Sequence, residues 1–446
     1  MRTSFMRLLN RGAAATGLAA GLVGCGQLLD QAAPSRVLEE TLQGPAAAKL
    51  IVDGARASFG CVFQAYITGA GLLTDELEDT QLAAAGWDWD RRSILKVGGN
   101  FATAGCDGGQ QFGIYTALQT ARYTADLAST NLATFSDAEV PGRVALLATA
   151  ALFSGYSHLL MGEGFCTGTV DGGPELTPAQ VFALAETKFT DAIASATTAN
   201  NTSLLNAARV GRARARLNLA KLPGAAVVTG KLTEARADAA LVPSGFVYNV
   251  PFNSASTYSR NMFYTRNTES RLYGVAPRYW AMTFNGTPDT RVRVASGSIG
   301  QDNLTKNVYL AQKYNSQGAP IALAKYQEAQ LIVAEADYHL VGPSAAVPII
   351  NALHTAVGLP AFASTVASEI LSQIIEERSR ELFLEGHRFY DTNRFNLPLS
   401  PAVGTPFMPP NPDGSIRNKG GQYGDLRCLP LPDVERDNNP NLARGR

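Results

Sequence analysis

Apolar residues recur at three- and four-residue steps along most of this chain, the spacing that lines one face of an α-helix. Between Ala46 and Ile67 the stripe is Leu50, Ile51, Ala55, Phe59 and Phe63. Between Phe112 and Thr134 it is Ile114, Leu118, Ala121, Ala125 and Leu127. Val144 to Met161 is strongly apolar and rich in alanine. The stretch "TPAQVFALAETKFTDAIASA" opens with Thr177 as N-cap, Pro178 at the first helical position and Gln180 at the third, which predicts a capped helix start. A further helix is predicted over Ser203 to Leu222. Ala-x-x-x-Phe and Ala-x-x-x-Leu spacings repeat in "ALLATAALFSGYSHLL" and "AARVGRARARLNLA". Small residues at that interval let helices approach and stack, so Val144 to Leu222 reads as paired helices of tetratricopeptide size. A generic helix bundle is the alternative.

From Val242 to Lys313 the helical stripe disappears, and aromatics, Asn, Ser and Gly dominate. Loops with short strands or helices, laid over the helical scaffold, are expected there. Helix returns over Ala322 to Leu340, Ser344 to Val357 and Val366 to roughly Tyr390. The Pro- and Asn-rich tail "CLPLPDVERDNNPNL" predicts extended chain. The fold class is therefore all-α: tetratricopeptide-like helix pairs forming a scaffold, overlaid by a large loop-rich region. Residues 25–446 form a single domain on this reading, with a helical part over 25–241, an aromatic insertion over 242–319 and C-terminal helices over 320–446.

The first residues change the picture of location. Arg2, Arg7 and Arg11 precede a small-residue and apolar run from Ala13 to Gly24, too short and too weakly apolar for a membrane span and shaped like a secretory signal over 1–24. Leu22-Val23-Gly24-Cys25 resembles a bacterial lipobox, which implies lipidation of Cys25 and attachment to a membrane. An ordinary signal peptide with a chance cysteine is the alternative. An exported chain meets oxidising conditions, and Cys61, Cys106, Cys166 and Cys428 allow three disulfide connectivities. Cys106 and Cys166 both sit in Gly-rich stretches, which favours pairing them and leaves Cys61 with Cys428; free buried thiols remain possible. No C-x-x-C spacing suggests zinc.

Net charge is +0 and charged residues are 17% of the chain, below the roughly 25% of an average globular protein. No electrostatic footprint for nucleic acid is visible. The charge concentrates in "IIEERSRELFLEGHRFYDTNRF", Ile374 to Phe395. Glu376 and Arg380 are four apart in the favourable order. Glu377, Glu381 and Glu385 would line one helix face, among Arg378, Arg380, Arg388, Asp391 and Arg394. Arginines beside carboxylates hold them ionised, which disables a general acid and predicts a structural ion-pair network. A glycosidase-like use of Glu377 and Glu385, or of loop aspartates, is the enzymatic alternative. His158, His339, His354 and His387 are scattered, and no zincin, nucleophile-elbow or P-loop motif appears, so no cofactor or metal is expected.

The run "EERSRELFLEGHRFYDTNRF" resembles the C-terminal signature of the SusD/RagB family of bacterial surface nutrient-binding lipoproteins. So do "IALAKYQEAQLIVAEADYHL" followed by "IINALHTAVGLP", the closing "CLPLPDVERDNNPNL", "LLTDELED" near the start and the residues after Cys25. The resemblance implies a helical, non-catalytic binding protein anchored on the outer membrane. It implies a SusC-like TonB-dependent transporter as partner, fed with glycans or, in some members, peptides. A protein-binding tetratricopeptide-like scaffold is a third reading.

Flat aromatic faces beside polar groups suit sugars. "GWDWDRR" offers Trp87, Asp88, Trp89 and Arg91; in an extended segment both indoles would share one face. "YGVAPRYW" adds Tyr273, Arg278, Tyr279 and Trp280, and "NMFYTRN" adds Phe263, Tyr264, Arg266 and Asn267. The acidic "TDELED" (Asp75, Glu76, Glu78, Asp79) lacks calcium-loop spacing and reads as a solvated helix end.

Overall fold

The computed structural model describes residues 44–81, 86–106, 113–257 and 259–442. The expected signal segment 1–24 and the candidate lipidation residue Cys25 lie outside them. Of the unit Met1–Ala47 only a single 3-10 turn, Pro45–Ala47, is described. Everything below concerns the compact unit Ala48–Arg446.

The fold is all-α, with strands that are short and confined to connections. Six helices follow in order: α1 (Ala48–Leu72), α2 (Tyr115–Ala133), α3 (Arg143–Gly164), α4 (Pro178–Thr198), α5 (Thr202–Ala220) and α6 (Thr229–Ala240). Each packs against the next, and α7 (Tyr326–Leu340) packs on α6. α8 (Val347–Ala356) and α9 (Ala367–Glu381) cover α7, and α10 (Arg388–Arg394) follows. The start of α4 is the capping box expected from sequence: the Thr177 amide donates to Gln180 Oε1 at 2.8 Å, and the Gln180 amide donates to Thr177 Oγ1 at 3.4 Å.

Small residues set the helix spacing. Phe189 on α4 is fully buried between glycines of both neighbours. A Cβ added at Gly155 on α3 would meet its ring at 2.8 Å, and one at Gly211 on α5 at 2.3 Å. α3 is long and apolar enough to cross a membrane, yet α1, α2 and α4 enclose it as the central core helix. Its buried His158 hydrogen-bonds the Ser154 carbonyl at 2.9 Å, and burial pushes its pKa down to about 4, so it sits in the core as a neutral side chain.

Among the described residues, four two-stranded antiparallel pairs decorate the helices. β1 (Leu77–Asp79) pairs with β3 (Tyr273–Val275), and β2 (Val247–Val250) with β8 (Ile321–Lys325). β4 (Thr283–Phe284) pairs with β5 (Thr287–Pro288), and β6 (Val294–Ser296) with β7 (Tyr309–Ala311).

Four local expectations are corrected. The segment from Ala322 starts as strand, because β2 offers it a hydrogen-bonding edge; helix begins only at Tyr326. The predicted helix Val366–Tyr390 is broken after Glu381. Leu382, Phe383 and Leu384 are all buried, which consecutive positions on a one-sided helix cannot achieve. The chain turns there through left-handed Leu384 (φ 55°) and Gly386 (φ 84°). α6 was not anticipated, since its buried stripe is Leu232, Ala235 and Ala239, and alanine signals weakly. The tail contains a helical turn, Asp433–Asn438, where extended chain was expected.

The disulfide expectation is also corrected. The bonds are Cys61–Cys106 and Cys166–Cys428. Cys166 follows α3, where the tail docks through backbone bonds: the Cys166 amide donates to Leu429 O at 2.9 Å, and the Leu429 amide to Gly164 O at 2.8 Å. That docking brings Cys428 alongside.

Candidate ligand-binding site

The acidic stretch after α1 is drawn inward, not solvated. Pairing of β1 with β3 sets Glu78 opposite Gly274, and Glu76, Glu78 and Asp79 are all buried. Their partners come from the far end of the chain. Arg388 grips Asp75 through two bonds of 2.7 Å. The Leu384 amide donates to Glu76 Oε1 at 2.9 Å. Arg417 pairs with Glu78 at 2.7 Å, and Lys419 bridges Asp79 at 3.0 Å and Asp302 at 2.9 Å. Burial alone would raise Asp75, but Arg388 outweighs it and holds the carboxyl below its usual range. Glu76 has no such cation in contact, and burial pushes it up to about 8.

Each of the eight residues of the charged run has ionic partners, mostly outside the run. Glu377 accepts from His354 Nε2 at 2.8 Å and pairs with Arg291 at 2.6 Å. Glu381 meets Lys325 at 3.2 Å; Glu385 meets Lys313 at 2.6 Å and Lys325 at 2.8 Å. Arg380 reaches Asp289 at 3.2 Å and Glu376 at 3.5 Å. Asp391 accepts from Arg378 and Arg394, both at 2.8 Å, and Arg394 also pairs with Glu335. The break after Glu381 overturns the single acidic helix face: Glu385 lies beyond the helix, between two lysines. Burial opposes ionisation of Glu377 and Glu385, but their cations prevail and keep both below the ordinary range.

The predicted ligand residues separate into surface and core. Trp87–Asp90 form a helical turn, so the two indoles do not share a face as an extended segment would require. Trp89 is buried against Gly69 of α1, where an added Cβ would lie 2.7 Å from its ring. Tyr273 and Tyr279 are fully buried; Tyr279 stacks on Phe383 at 4.6 Å and its hydroxyl lies 2.7 Å from Ser379 Oγ. Trp280 is half-buried, stacked on Tyr309 at 3.7 Å. Phe263, Arg266 and Asn267 are buried too, and Tyr264 is half-buried; Asn267 ties the Tyr273 carbonyl to the Ala311 amide. Tyr273, Tyr279 and Phe263 are therefore core, whereas Trp280 and Tyr264 keep part of their surface exposed.

Trp87, Asp88 and Arg91 do meet at the surface. Trp87 is half-buried with its ring on Phe407, 6.4 Å between centroids. Arg91 lies 5.6 Å over Phe407 and pairs with Asp88 at 2.6 Å. Phe407 in turn packs edge-on to Tyr423 at 5.3 Å. Tyr423 walls a cleft of about 230 Å³, with Asp75, Leu77, Glu78, Asp90, Arg278 and Pro401 among its other walls. A second cleft of about 410 Å³ shares Asp75, Arg278 and Ser400 with the first. Arg278 stands at this junction, paired with Glu376 and 3.3 Å from Asp75.

Phe407, Arg417, Lys419 and Tyr423 were not singled out from sequence. They sit some 330 residues from Trp87, in a loop with no periodicity, and no local signal marks them. No group of three or more His, Cys, Asp or Glu among the described residues could hold a metal ion.

Residues 304–444 match the model of the SusD family. No curated protein sequence matches the chain at a significant level. Among solved structures, a SusD-like carbohydrate binding protein from Bacteroides vulgatus superposes with a TM-score of 0.65 at 14% identity, covering 90% of this chain and 98% of the other. Bacteroides fragilis NanU gives 0.63 at 13%, covering 89% and 95%. Surface glycan-binding protein A from Bacteroides uniformis gives 0.59 at 13%, covering 88% and 98%. The last third of the chain thus matches the SusD family model, and nearly its whole length has the fold of these SusD-like structures.

Proposed function

We propose that this protein is a non-catalytic, lipid-anchored capture protein of the outer membrane. It binds oligosaccharides at the face formed by Trp87, Asp88 and Arg91 and hands them to a SusC-like TonB-dependent transporter. The observation that carries this reading is the half-buried Trp87 ring, held on Phe407 with the Arg91 guanidinium over the same ring and the Asp88 carboxylate paired to it. An indole face with directed polar groups is the arrangement that holds a sugar ring. The names of two fold relatives, a carbohydrate binding protein and a surface glycan-binding protein, support the ligand class. A hydrolase built on Glu377 and Glu385 is disfavoured, because cations hold both carboxyls ionised and neither can donate a proton at neutral pH. The lipid anchor rests on the lipobox at Cys25, and the transporter on the family resemblance.

The test is an array of neutral oligosaccharides and short peptides, probed with the soluble protein starting after Cys25 and with its Trp87→Ala variant. Glycan binding that falls at least tenfold in the variant is the expected result. Peptide binding alone, or glycan binding indifferent to Trp87, would overturn the proposal.

A further inference from the structure

The smaller cleft contains one carboxylate unlike its neighbours. Glu78 is paired with Arg417, and Asp75 with Arg388 and Arg278. Asp90 is only 2% exposed and lines the same cleft, yet no cation stands within ion-pair distance of it among the described residues. One oxygen, Oδ2, accepts from the Asp79 amide at 2.6 Å. The other accepts no hydrogen bond from a described residue. Tyr423, also 2% exposed and packed edge-on to Phe407, lines the same cleft with a hydroxyl that has no described partner. Burial, with Asp79 and Glu78 nearby, outweighs the Asp79 amide and the more distant Lys419 and pushes Asp90 up to about 7, the response of an enclosed carboxylate with no cation in contact.

We propose that this cleft recognises the protonated amine of an amino sugar, with Asp90 Oδ1 as its ionic acceptor and the Tyr423 hydroxyl as a second contact. A buried charge is stable only when paired, and here the missing cation comes with the ligand. The remaining walls fit a sugar body: Leu77, Ala276, Pro277, Pro401 and Pro409 are apolar, and about 230 Å³ accommodates a single pyranose ring. This inference rests on the reading of the Trp87 face as the capture surface, because the amine-bearing residue would extend from a chain lying on that face.

The experiment is calorimetry with glucosamine tetramer, its fully N-acetylated counterpart and tetralysine. It uses the wild-type chain after Cys25 and the Asp90→Asn, Tyr423→Phe and Trp87→Ala variants. Asn keeps the shape and the acceptor for the Asp79 amide, and thermal melting establishes that each variant is folded. The free amine should bind at least tenfold tighter than the acetamide. That preference should vanish in Asp90→Asn and weaken in Tyr423→Phe. Equal binding of amine and acetamide, no binding of the amine tetramer, or an amine preference that survives in folded Asp90→Asn would each overturn the inference. Tetralysine binding more tightly than the sugar would overturn the amino-sugar assignment. Failure of the capture-face reading is distinguishable: neutral glycans would then not bind, or would bind Trp87→Ala as well as wild type.

Discussion

Two buried glutamates in this protein answer to opposite physics. Glu385 sits between Lys313 and Lys325, and those two ammonium groups hold it ionised against its burial. Its depressed pKa contributes stability above the unfolded value, lost as pH falls through the folded one. Removing its charge in Glu385→Gln leaves enclosed Lys313 without its carboxylate and Lys325 with Glu381 alone, and should cost about 3–5 kcal/mol in urea unfolding at pH 7. Glu76 is the reverse. One of its oxygens accepts from the Leu384 amide and the other is buried without a partner, so burial raises it from 4.5 to about 8. The folded state keeps the proton after the unfolded chain has released it. The contribution of Glu76 is therefore full below 4.5 and is lost as pH rises toward 8. Glu76→Gln does not titrate, so its stability relative to wild type should improve by roughly 1 kcal/mol or more between pH 5 and pH 8. Paired thermal melts at the two pH values check this. A constant difference would mean that Glu76 is ionised in the fold.

At the level of elements, the helix stack is set by contacts between glycine and aromatic rings. Gly211 lies inside α5, where alanine would ordinarily gain about 1 kcal/mol of helix propensity. Here the added methyl meets the Phe189 ring at 2.3 Å, and the same fully buried ring also packs so close to Gly155 that a Cβ there would lie at 2.8 Å, so it has little room to retreat. Overpacking of this kind costs about 1–3 kcal/mol, which outweighs the propensity gain. Gly211→Ala should therefore destabilise. Gly230 in α6 has nothing within 4 Å of an added Cβ, and Gly230→Ala should be neutral or stabilise by up to about 1 kcal/mol. The denaturant midpoint should fall in Gly211→Ala and hold or rise in Gly230→Ala. Helices of this kind are legible in sequence because each buries a stripe that repeats along its own length. The break between α9 and α10 was not legible. Its cause is the simultaneous burial of Leu382, Phe383 and Leu384 against different neighbours, which no one-dimensional period encodes.

On the scale of the whole molecule, the C-terminal end closes back onto the N-terminal helices. Arg388 and Lys419 reach Asp75 and Asp79, and Cys428 is bonded to Cys166 across 262 residues. The other disulfide spans 45, so loop-closure entropy alone makes the longer bridge worth about 1.5 kcal/mol more. A Cys166→Ser/Cys428→Ser variant should lose about 2–5 kcal/mol and expose the tail after Gly424 to limited proteolysis before the helices unfold. A tail that stays protected would show that the backbone bonds between Gly164, Cys166 and Leu429 suffice. Local pattern in the sequence carried the all-α class, the capped start of α4, the loop-rich middle and the dense pairing potential of the charged run. These depend on periodicity, capping chemistry and composition within a few turns of chain. Only the tertiary structure decided which cysteines pair, which cations meet Asp75, Glu78 and Glu385, and which aromatics became core. It alone set Asp90 and Tyr423, 333 residues apart, on the walls of one cleft. Such pairings are contacts between distant segments, and their energy depends on burial and on which partner arrives, quantities that no local pattern carries.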